Sequence, residues 1–237
     1  MLRKYLFLFI VSLTMLTLSA CGAEEAPPKK EEPPQAAKEA GGLFADLKIE
    51  QEVRVVLKKT TGPLEASDIT EIKKINLAYK VIKDISGIEH LVGLNELTLR
   101  SNWIPDITPL SSLTNLTWLH IGEQNKFLSD ISPLASLTKL EELRAPQNLI
   151  SDLSPLVNLT KLTRLDLSEN KITDVSLLAG LTSLTYLNLK INDITDISPL
   201  VSLTNLRELF LHKNPLDDNS VNVIIPKLEG AGVGVYR

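Results

Sequence analysis

The sequence predicts an α/β repeat solenoid, a curved array with a parallel β-sheet on its concave side, a 3₁₀ or irregular convex side and short helical caps. Three observations carry this prediction. Aliphatic residues recur with a period of 22 residues, as between Leu91 and Leu113. Within each unit two leucines alternate with polar residues, as in a short strand. Each unit then returns through a segment such as Asp130-Ile-Ser-Pro-Leu, where proline and small polar residues favour a tight turn or a 3₁₀ piece.

The repeated unit determines which side chains are buried. The repeats start at Ile69, Leu91, Leu113, Leu137, Leu159, Leu181 and Leu203. All have 22 residues except the third, which has 24, and Pro215 interrupts the seventh. One unit alone cannot bury its aliphatic residues, such as Leu97 and Leu99, so each repeat needs a neighbour on both flanks. We therefore expect the strands of neighbouring repeats to pair in parallel over residues 69–218.

Two polar columns run through the repeats. Position 12 of the unit is asparagine at Asn102, Asn148, Asn170, Asn192 and Asn214. Because an amide both donates and accepts, these residues predict a structural ladder that satisfies the backbone where the chain leaves each strand. Position 16 is aspartate, as in Asp106, and we expect it to accept turn amides rather than to bind calcium.

The unit LxxLxxLxLxxNxIxDIxPLxx resembles the leucine-rich repeat, in the 22-residue form found in bacterial internalins. The resemblance implies a curved leucine-rich repeat array that recognises a protein. The chain lacks the wall-sorting signal and the additional C-terminal domains of the larger internalins, so the resemblance does not extend to their role in invasion.

The N-terminus indicates a lipoprotein. After Arg3 and Lys4, residues 5–18 are uncharged and mostly apolar, as in a secretory leader. The motif Leu18-Ser-Ala-Cys21-Gly resembles the lipobox of bacterial lipoproteins, in which a lipid is added to the cysteine thiol and the chain is then cleaved just before that cysteine. We therefore interpret residues 1–20 as a lipoprotein signal peptide. Residues 21–42 would be the lipidated Cys21 and a disordered tether, because they contain no large aliphatic or aromatic side chain. An ordinary leader and an uncleaved anchor are the alternatives.

Both ends of the array need caps. Residues 43–68 predict an N-terminal helical cap, with Ile49, Val53, Val56 and Leu57 on one face of a helix. At the other end, residues 219–237 predict a C-terminal cap. It would contain a helix over residues 220–229, stopped by Gly230 and kinked at Pro226, and then a final strand within residues 233–236.

The composition argues against several chemistries. The formal net charge is −4, whereas nucleic-acid binding needs a clustered basic surface. The chain has one cysteine and three histidines, and no GxSxG, HExxH or GxxxxGK motif occurs. We therefore predict no enzyme, no catalytic residue, no metal and no cofactor apart from the covalent lipid on Cys21.

The concave columns at positions 6, 8 and 10 contain the candidate binding residues. They include aromatic and arginine side chains, the types enriched in binding hot spots. The candidates are Trp118, His120, Arg144, Arg164, Asp166, Tyr186, Asn188 and Phe210, with Tyr79, Trp103 and Phe127 on the adjoining rim. The two extra residues of the third repeat, around 124–127, predict a bulge beside Trp118 and His120.

These features predict a monomeric, lipid-anchored, extracytoplasmic protein whose concave face binds a protein that the sequence does not identify. One alternative is a structural component of the cell envelope without a discrete ligand. Another is a carbohydrate-binding module that uses Trp118 and Tyr186 as stacking platforms. Gly22 follows the lipidated cysteine, which by resemblance to Gram-negative lipoproteins favours the outer membrane in a cell with two membranes.

Overall fold

The computed structural model describes residues 42–125 and 127–237. The signal peptide, Cys21 and the tether up to residue 41 lie outside the described residues. Eight short strands and three α-helices are present in the described part. The strands are β1 (Lys74–Asn76), β2 (Glu96–Thr98), β3 (Trp118–His120), β4 (Glu142–Arg144), β5 (Arg164–Asp166), β6 (Tyr186–Asn188), β7 (Glu208–Phe210) and β8 (Gly234–Tyr236). The helices are α1 (Leu47–Leu57), α2 (Ala66–Ile69) and α3 (Ile225–Gly230).

The strands form one parallel sheet in the order of the chain, β1 to β8. The register follows the repeat, so that Leu97 pairs with Leu119 and Leu143 pairs with Leu165. These central residues are buried, and the residues on either side of them face away from the core. Six 3₁₀ turns lie on the return side, at Ile88–His90, Thr108–Ser112, Ser132–Ser136, Ser154–Leu156, Ser176–Gly180 and Ser198–Ser202. The predicted solenoid is confirmed.

The asparagine column forms hydrogen bonds between repeats. Asn170 accepts from the Ile150 N–H at 3.0 Å in the preceding repeat and donates to the carbonyls of Ala145 and Leu167, also at 3.0 Å. The same arrangement recurs at Asn102, Asn148, Asn192 and Asn214. Each side chain therefore connects its own repeat to the one before it, and all of them except the half-buried Asn214 are shielded from water.

The third repeat uses glutamine at this position. Gln124 is fully buried, accepts from the Ile104 N–H at 3.2 Å and donates to the Leu99 carbonyl at 2.8 Å. We expected Gln124 to begin a bulge, and instead its longer amide side chain continues the ladder. The extra residues turn outward after it, with Asn125 at φ 51° and the Phe127 N–H donating to Gln124 at 3.1 Å.

A second column adopts left-handed backbone conformation. Position 11 of every repeat has φ between 55° and 60°, at Tyr79, Ser101, Glu123, Gln147, Glu169, Ile191 and Lys213. In the first six of these residues the N–H donates to a carbonyl of the following repeat, as from Ile191 to His212 at 2.7 Å. This conformation is costly for residues other than glycine, and most of all for a β-branched residue such as Ile191. The stacking of repeats imposes it.

The aspartate column accepts turn amides at the start of the return segments. Asp106 and Asp130 each accept a backbone N–H two residues later at 2.8 Å. The Ser132 backbone N–H holds the pKa of the Asp130 carboxyl below its ordinary value, because it stabilises the ionised form. These contacts are those of a turn that lies on the surface.

The N-terminal cap packs through part of the expected face. Asp46 caps α1 by accepting from the Lys48 N–H at 2.9 Å, and Ile49 and Val53 are fully buried. The prediction for Val56 is wrong, since 44% of this residue is exposed. Leu57 is partly buried and packs against the core, so the buried face runs through Ile49, Val53 and Leu57 and leaves Val56 outside it.

The C-terminal cap also differs from the expected single helix. A π-helical turn at Ser220–Ile224 leads into α3, whose Ile225 and Leu228 are buried. Pro226 has no N–H to donate, so a regular α-helical pattern cannot run through it. The helix includes Gly230, and Gly232 is the residue with the left-handed φ of 89°. Among the described residues no helix is long and apolar enough to span a bilayer.

Candidate functional site

The concave face brings five of the outward-facing residues of β3 to β6 into one continuous row. Glu142 lies at its centre, with its Oε1 2.5 Å from Arg144 Nε and its Oε2 3.7 Å from Arg164 Nε. Each guanidinium also lies over an aromatic ring. Arg144 is 5.9 Å from the centroid of Trp118, and Arg164 is 4.2 Å from that of Tyr186. We call these residues, Trp118, Glu142, Arg144, Arg164 and Tyr186, the arginine row.

A small cavity of about 110 Å³ opens within the arginine row, and Asp166 on β5 contributes to its wall. Asp166 accepts the Ser168 N–H at 3.0 Å and the Ser168 hydroxyl at 2.7 Å. Glu142 was absent from the predicted site residues. The signal in the sequence was its place in the same strand column as Trp118 and Arg164, which puts it between them.

The aromatic residues continue towards the C-terminal end of the sheet. The Tyr186 and Phe210 rings lie 5.3 Å apart at 44°, and Phe210 stacks on Tyr236 at 4.5 Å and 10°. We call Tyr186, Phe210 and Tyr236 the aromatic row. Tyr236 was also absent from the predicted site residues, because its place depends on the pairing of β8 with β7, which sets it opposite Phe210.

His120 lies beside the arginine row and is partly buried. Its ring meets Trp118 edge to face, with 6.0 Å between centroids. Its Nε2 is buried and has no hydrogen-bond partner among the described residues. Desolvation, followed by the charges of Arg100 and Arg144, lowers the pKa of His120 to about 4. The imidazole is therefore neutral at pH 7, and it contributes shape rather than charge.

Asn188 does not belong to the accessible face, and its prediction as a binding residue is wrong. Only 6% of this residue is exposed, and its Oδ1 accepts the Lys190 N–H at 3.2 Å. It lies in register between Asp166 and Phe210. The short amide side chain is covered because longer side chains flank it.

The three rim aromatics are exposed but lie apart from the two rows. Tyr79 is 64% exposed, Trp103 42% and Phe127 51%. Arg100 lies 5.2 Å from the Tyr79 ring and Lys83 lies 5.2 Å from the Trp103 ring. Among the described residues none of the three stacks on an aromatic ring of the concave face. Trp103 instead borders a separate groove of about 580 Å³ along the loops that follow the strands.

The loop of the third repeat is attached to this rim. Glu123 accepts from Arg100 Nε at 2.8 Å and from the Ser101 hydroxyl, and thereby connects the second and third repeats. Desolvation raises the pKa of Glu123, whereas the hydrogen bonds from Arg100 and Ser101 lower it, and the net change is downward. In the described part of the chain, no group of three or more histidine, cysteine, aspartate or glutamate residues has the geometry of a metal site.

Comparison with known proteins agrees with this geometry. Residues 138–180, 160–199 and 182–222 each match the family described as Leucine Rich repeats (2 copies). The internalin inlF of Listeria monocytogenes is 35% identical with a TM-score of 0.75, over 82% of this chain and 56% of its own. The internalin inlC2 of the same species is 29% identical with a TM-score of 0.63, over 82% of this chain and 93% of its own. This chain thus spans little more than half of inlF. The chain therefore contains leucine-rich repeats and is similar in sequence and fold to these internalins.

Proposed function

We propose that this protein is a lipid-anchored, extracytoplasmic monomer that binds a partner protein on its concave face and catalyses no reaction. One observation carries the proposal, namely the continuous run of aromatic and arginine side chains across β3 to β8. Such side chains account for a large share of the binding energy in protein interfaces. The run lies on one sheet, on the face opposite the leucine core.

The rigidity of this face supports the proposal. Arg164 is held over Tyr186 at 4.2 Å, and Phe210 is held against Tyr236 at 4.5 Å, before any partner arrives. Side chains that are already ordered lose little conformational entropy on binding. The seven spacings between eight strands make the face about 34 Å long, since parallel strands lie ~4.8 Å apart. That length is sufficient for an interface of ordinary size.

The lipobox supports the proposed location. Cys21 follows Ser19 and Ala20, two small residues, and it is the one cysteine of the chain. The similarity to internalins is in keeping with a surface protein. Replacing Cys21 by serine removes the thiol that takes the lipid, so we expect the wild type to incorporate radiolabelled palmitate and the Cys21→Ser variant not to. Equal labelling of the two proteins, or no labelling of the wild type, would contradict lipid anchoring.

A cross-linking pull-down from native membranes tests the binding face. The test variant combines Trp118→Ala, Tyr186→Ala and Phe210→Ala. A matched control combines Tyr79→Ala, Trp103→Ala and Phe127→Ala on the rim, and circular dichroism verifies that both variants fold. We expect the wild type and the control with the rim substitutions (the rim variant) to capture a partner, and the variant with the concave-face substitutions (the concave variant) to lose it. Equal capture by both variants would place the site elsewhere, and no capture by wild type would favour a structural role in the envelope.

The aromatic row favours one second candidate, a carbohydrate ligand. Tyr186, Phe210 and Tyr236 offer ring surfaces on three neighbouring strands, and 45% of Tyr236 is exposed. A glycan pull-down with the purified chain separates the two candidates. Retention of glycans by the wild type, lost in the concave variant and kept in the rim variant, would replace the proposed protein partner by a carbohydrate.

A further inference from the structure

We propose that Arg144 and Arg164 form a carboxylate-binding site, and that the partner protein inserts an aspartate or glutamate side chain between the two guanidinium groups. This inference rests on the proposed function, because it names the chemistry that the concave face selects in its partner. It depends on the contacts of the arginine row, and not on the aromatic side chains alone.

The two arginines have unused hydrogen-bonding capacity. Among the described residues, Arg144 donates one hydrogen bond, from Nε to Glu142, and Arg164 makes one longer ion pair with the same carboxylate, also through Nε. Each guanidinium carries five N–H donors. The terminal nitrogens of both residues therefore have no protein partner within the described part of the chain. Both side chains are 44% exposed, whereas Glu142 is only 17% exposed. The two arginine side chains are therefore more accessible to a partner than the carboxylate between them.

The guanidinium groups are positioned before binding. Arg164 rests on the Tyr186 ring at 4.2 Å, and Trp118 supports Arg144 at 5.9 Å. Their strands, β4 and β5, are adjacent, with Glu142 directly opposite Arg164. Adjacent strands are ~4.8 Å apart, close enough for one carboxylate to receive hydrogen bonds from both side chains. A stacked planar guanidinium loses little freedom when it binds a planar anion.

The surrounding charges indicate which anion fits. Glu142 and Asp166 balance Arg144 and Arg164, Arg100 is paired with Glu123 at 2.7 Å, and His120 is neutral. The row therefore has little net charge to attract a polyanion from a distance. What remains is a local match between N–H donors and a single planar acceptor. This match favours one carboxylate of a protein surface over phosphate groups, which carry more charge.

Titration with small probes tests the site directly. We would titrate the full chain in detergent with acetyl-Gly-Glu-Gly-amide, with acetyl-Gly-Gln-Gly-amide as the uncharged control and with inorganic phosphate as the competing anion. The Nε–H resonances of the arginines provide the readout by nuclear magnetic resonance. We expect the glutamate peptide to shift the resonances of Arg144 and Arg164, and the glutamine peptide to leave them in place. No shift with the glutamate peptide, or tighter binding of phosphate, would overturn the proposal.

Variants then show whether the two arginines bind an external carboxylate or only form ion pairs with Glu142. Arg144→Gln and Arg164→Gln should each weaken the binding of the glutamate peptide by about tenfold or more, since a hydrogen bond to a charged group is lost. Arg164→Lys keeps the charge but not the planar fork, and we expect it to lose most of this affinity. Glu142→Gln removes the internal competitor while keeping an acceptor for Arg144, so the peptide should bind several-fold more tightly. Unchanged or weaker binding by Glu142→Gln would contradict the shared-carboxylate arrangement.

The outcomes are distinguishable from failure of the proposed function. If the peptide binds as expected and the membrane pull-down captures nothing, the result supports the carboxylate-binding site and contradicts the proposed protein partner. If the Trp118→Ala/Tyr186→Ala/Phe210→Ala variant loses a partner but the peptide does not shift the arginine resonances, the result supports the binding face and contradicts the carboxylate-binding site.

Discussion

The carbonyl of Leu43 occupies the space in which a Cβ on Gly87 would stand. A Cβ on Gly87 would lie 2.7 Å from the Phe44 Cα and closer still to the Leu43 carbonyl oxygen, and the φ of Gly87 is 101°. The neighbouring Ala45 N–H donates to Ser86 at 2.9 Å. The close approach attaches the first described residues of the N-terminal cap to the first repeat.

We therefore expect Gly87→Ala to destabilise the protein. The methyl group would overlap backbone atoms and occupy a φ that alanine rarely adopts, at a cost of about 3 kcal/mol or more. Gly180→Ala is the matched control, because a Cβ there meets nothing within 4 Å. Urea unfolding followed by circular dichroism measures both free energies of unfolding. Equal stability of the two variants would show that the cap is not attached as described.

Replacing a member of the asparagine ladder should have a large effect. Asn170→Ala would leave the Ile150 N–H and the Ala145 and Leu167 carbonyls without this partner. The two carbonyls keep hydrogen bonds from Asn148 and Asn192, so among these groups only the Ile150 N–H is left without a partner. Since a buried polar group without a partner costs about 1–3 kcal/mol, we expect a loss in that range. Asn205→Ala, at an exposed asparagine with one bond to the Thr182 carbonyl at 2.9 Å, should cost little. A small effect at Asn170, measured by thermal unfolding, would argue against a structural ladder.

Relief of backbone strain should stabilise the protein. Ile191 is a β-branched residue at φ 55°, a conformation that asparagine adopts more readily. We expect Ile191→Asn to raise the free energy of unfolding by about 1 kcal/mol, and to raise the melting temperature with it. Val157→Asn is the control, since Val157 is also β-branched and exposed but has an ordinary φ of −56°. An equal gain at both positions would point to a general surface effect instead.

Acid should weaken the fold through His120. Because its pKa falls from 6.5 to about 4 in the folded protein, folding favours the neutral imidazole. The contribution is present above pH 6.5 and is lost as the pH falls from there towards 4. We expect a loss of about 1–2 kcal/mol, a value reduced for the partial exposure of the ring.

The measurement compares the free energy of unfolding at pH 7.5 and pH 4.5 in the wild type and in His120→Gln. The glutamine variant should show a smaller difference between the two pH values than the wild type. His212→Gln, at an exposed position of the seventh repeat, is the control. The same pH dependence in the wild type and His120→Gln would exclude His120 as its origin.

The site could be predicted only in part, and the misses have a common cause. The strand period assigns Trp118, Arg144, Arg164, Tyr186 and Phe210 to the concave face, and the structure has them in these strands. Tyr236 and Glu142 were missed, since their roles depend on which side chains lie opposite them across strands. Asn188 was included wrongly for the same reason, because its burial depends on the size of its neighbours and not on its own column.

By itself the sequence determined the architecture of this protein: the 22-residue period, the alternating leucines, the asparagine column and the aspartate turns. These features depend on local spacing, and seven copies of one pattern allow a single way of burying it. Only the tertiary structure decided the left-handed backbone of position 11, the use of Gln124 in the ladder, the contact between Leu43 and Gly87, and the sharing of Glu142 by two arginines. Each of these depends on contacts between residues that lie far apart in the chain or in neighbouring repeats, and the residue type at a position does not reveal which partner it meets there.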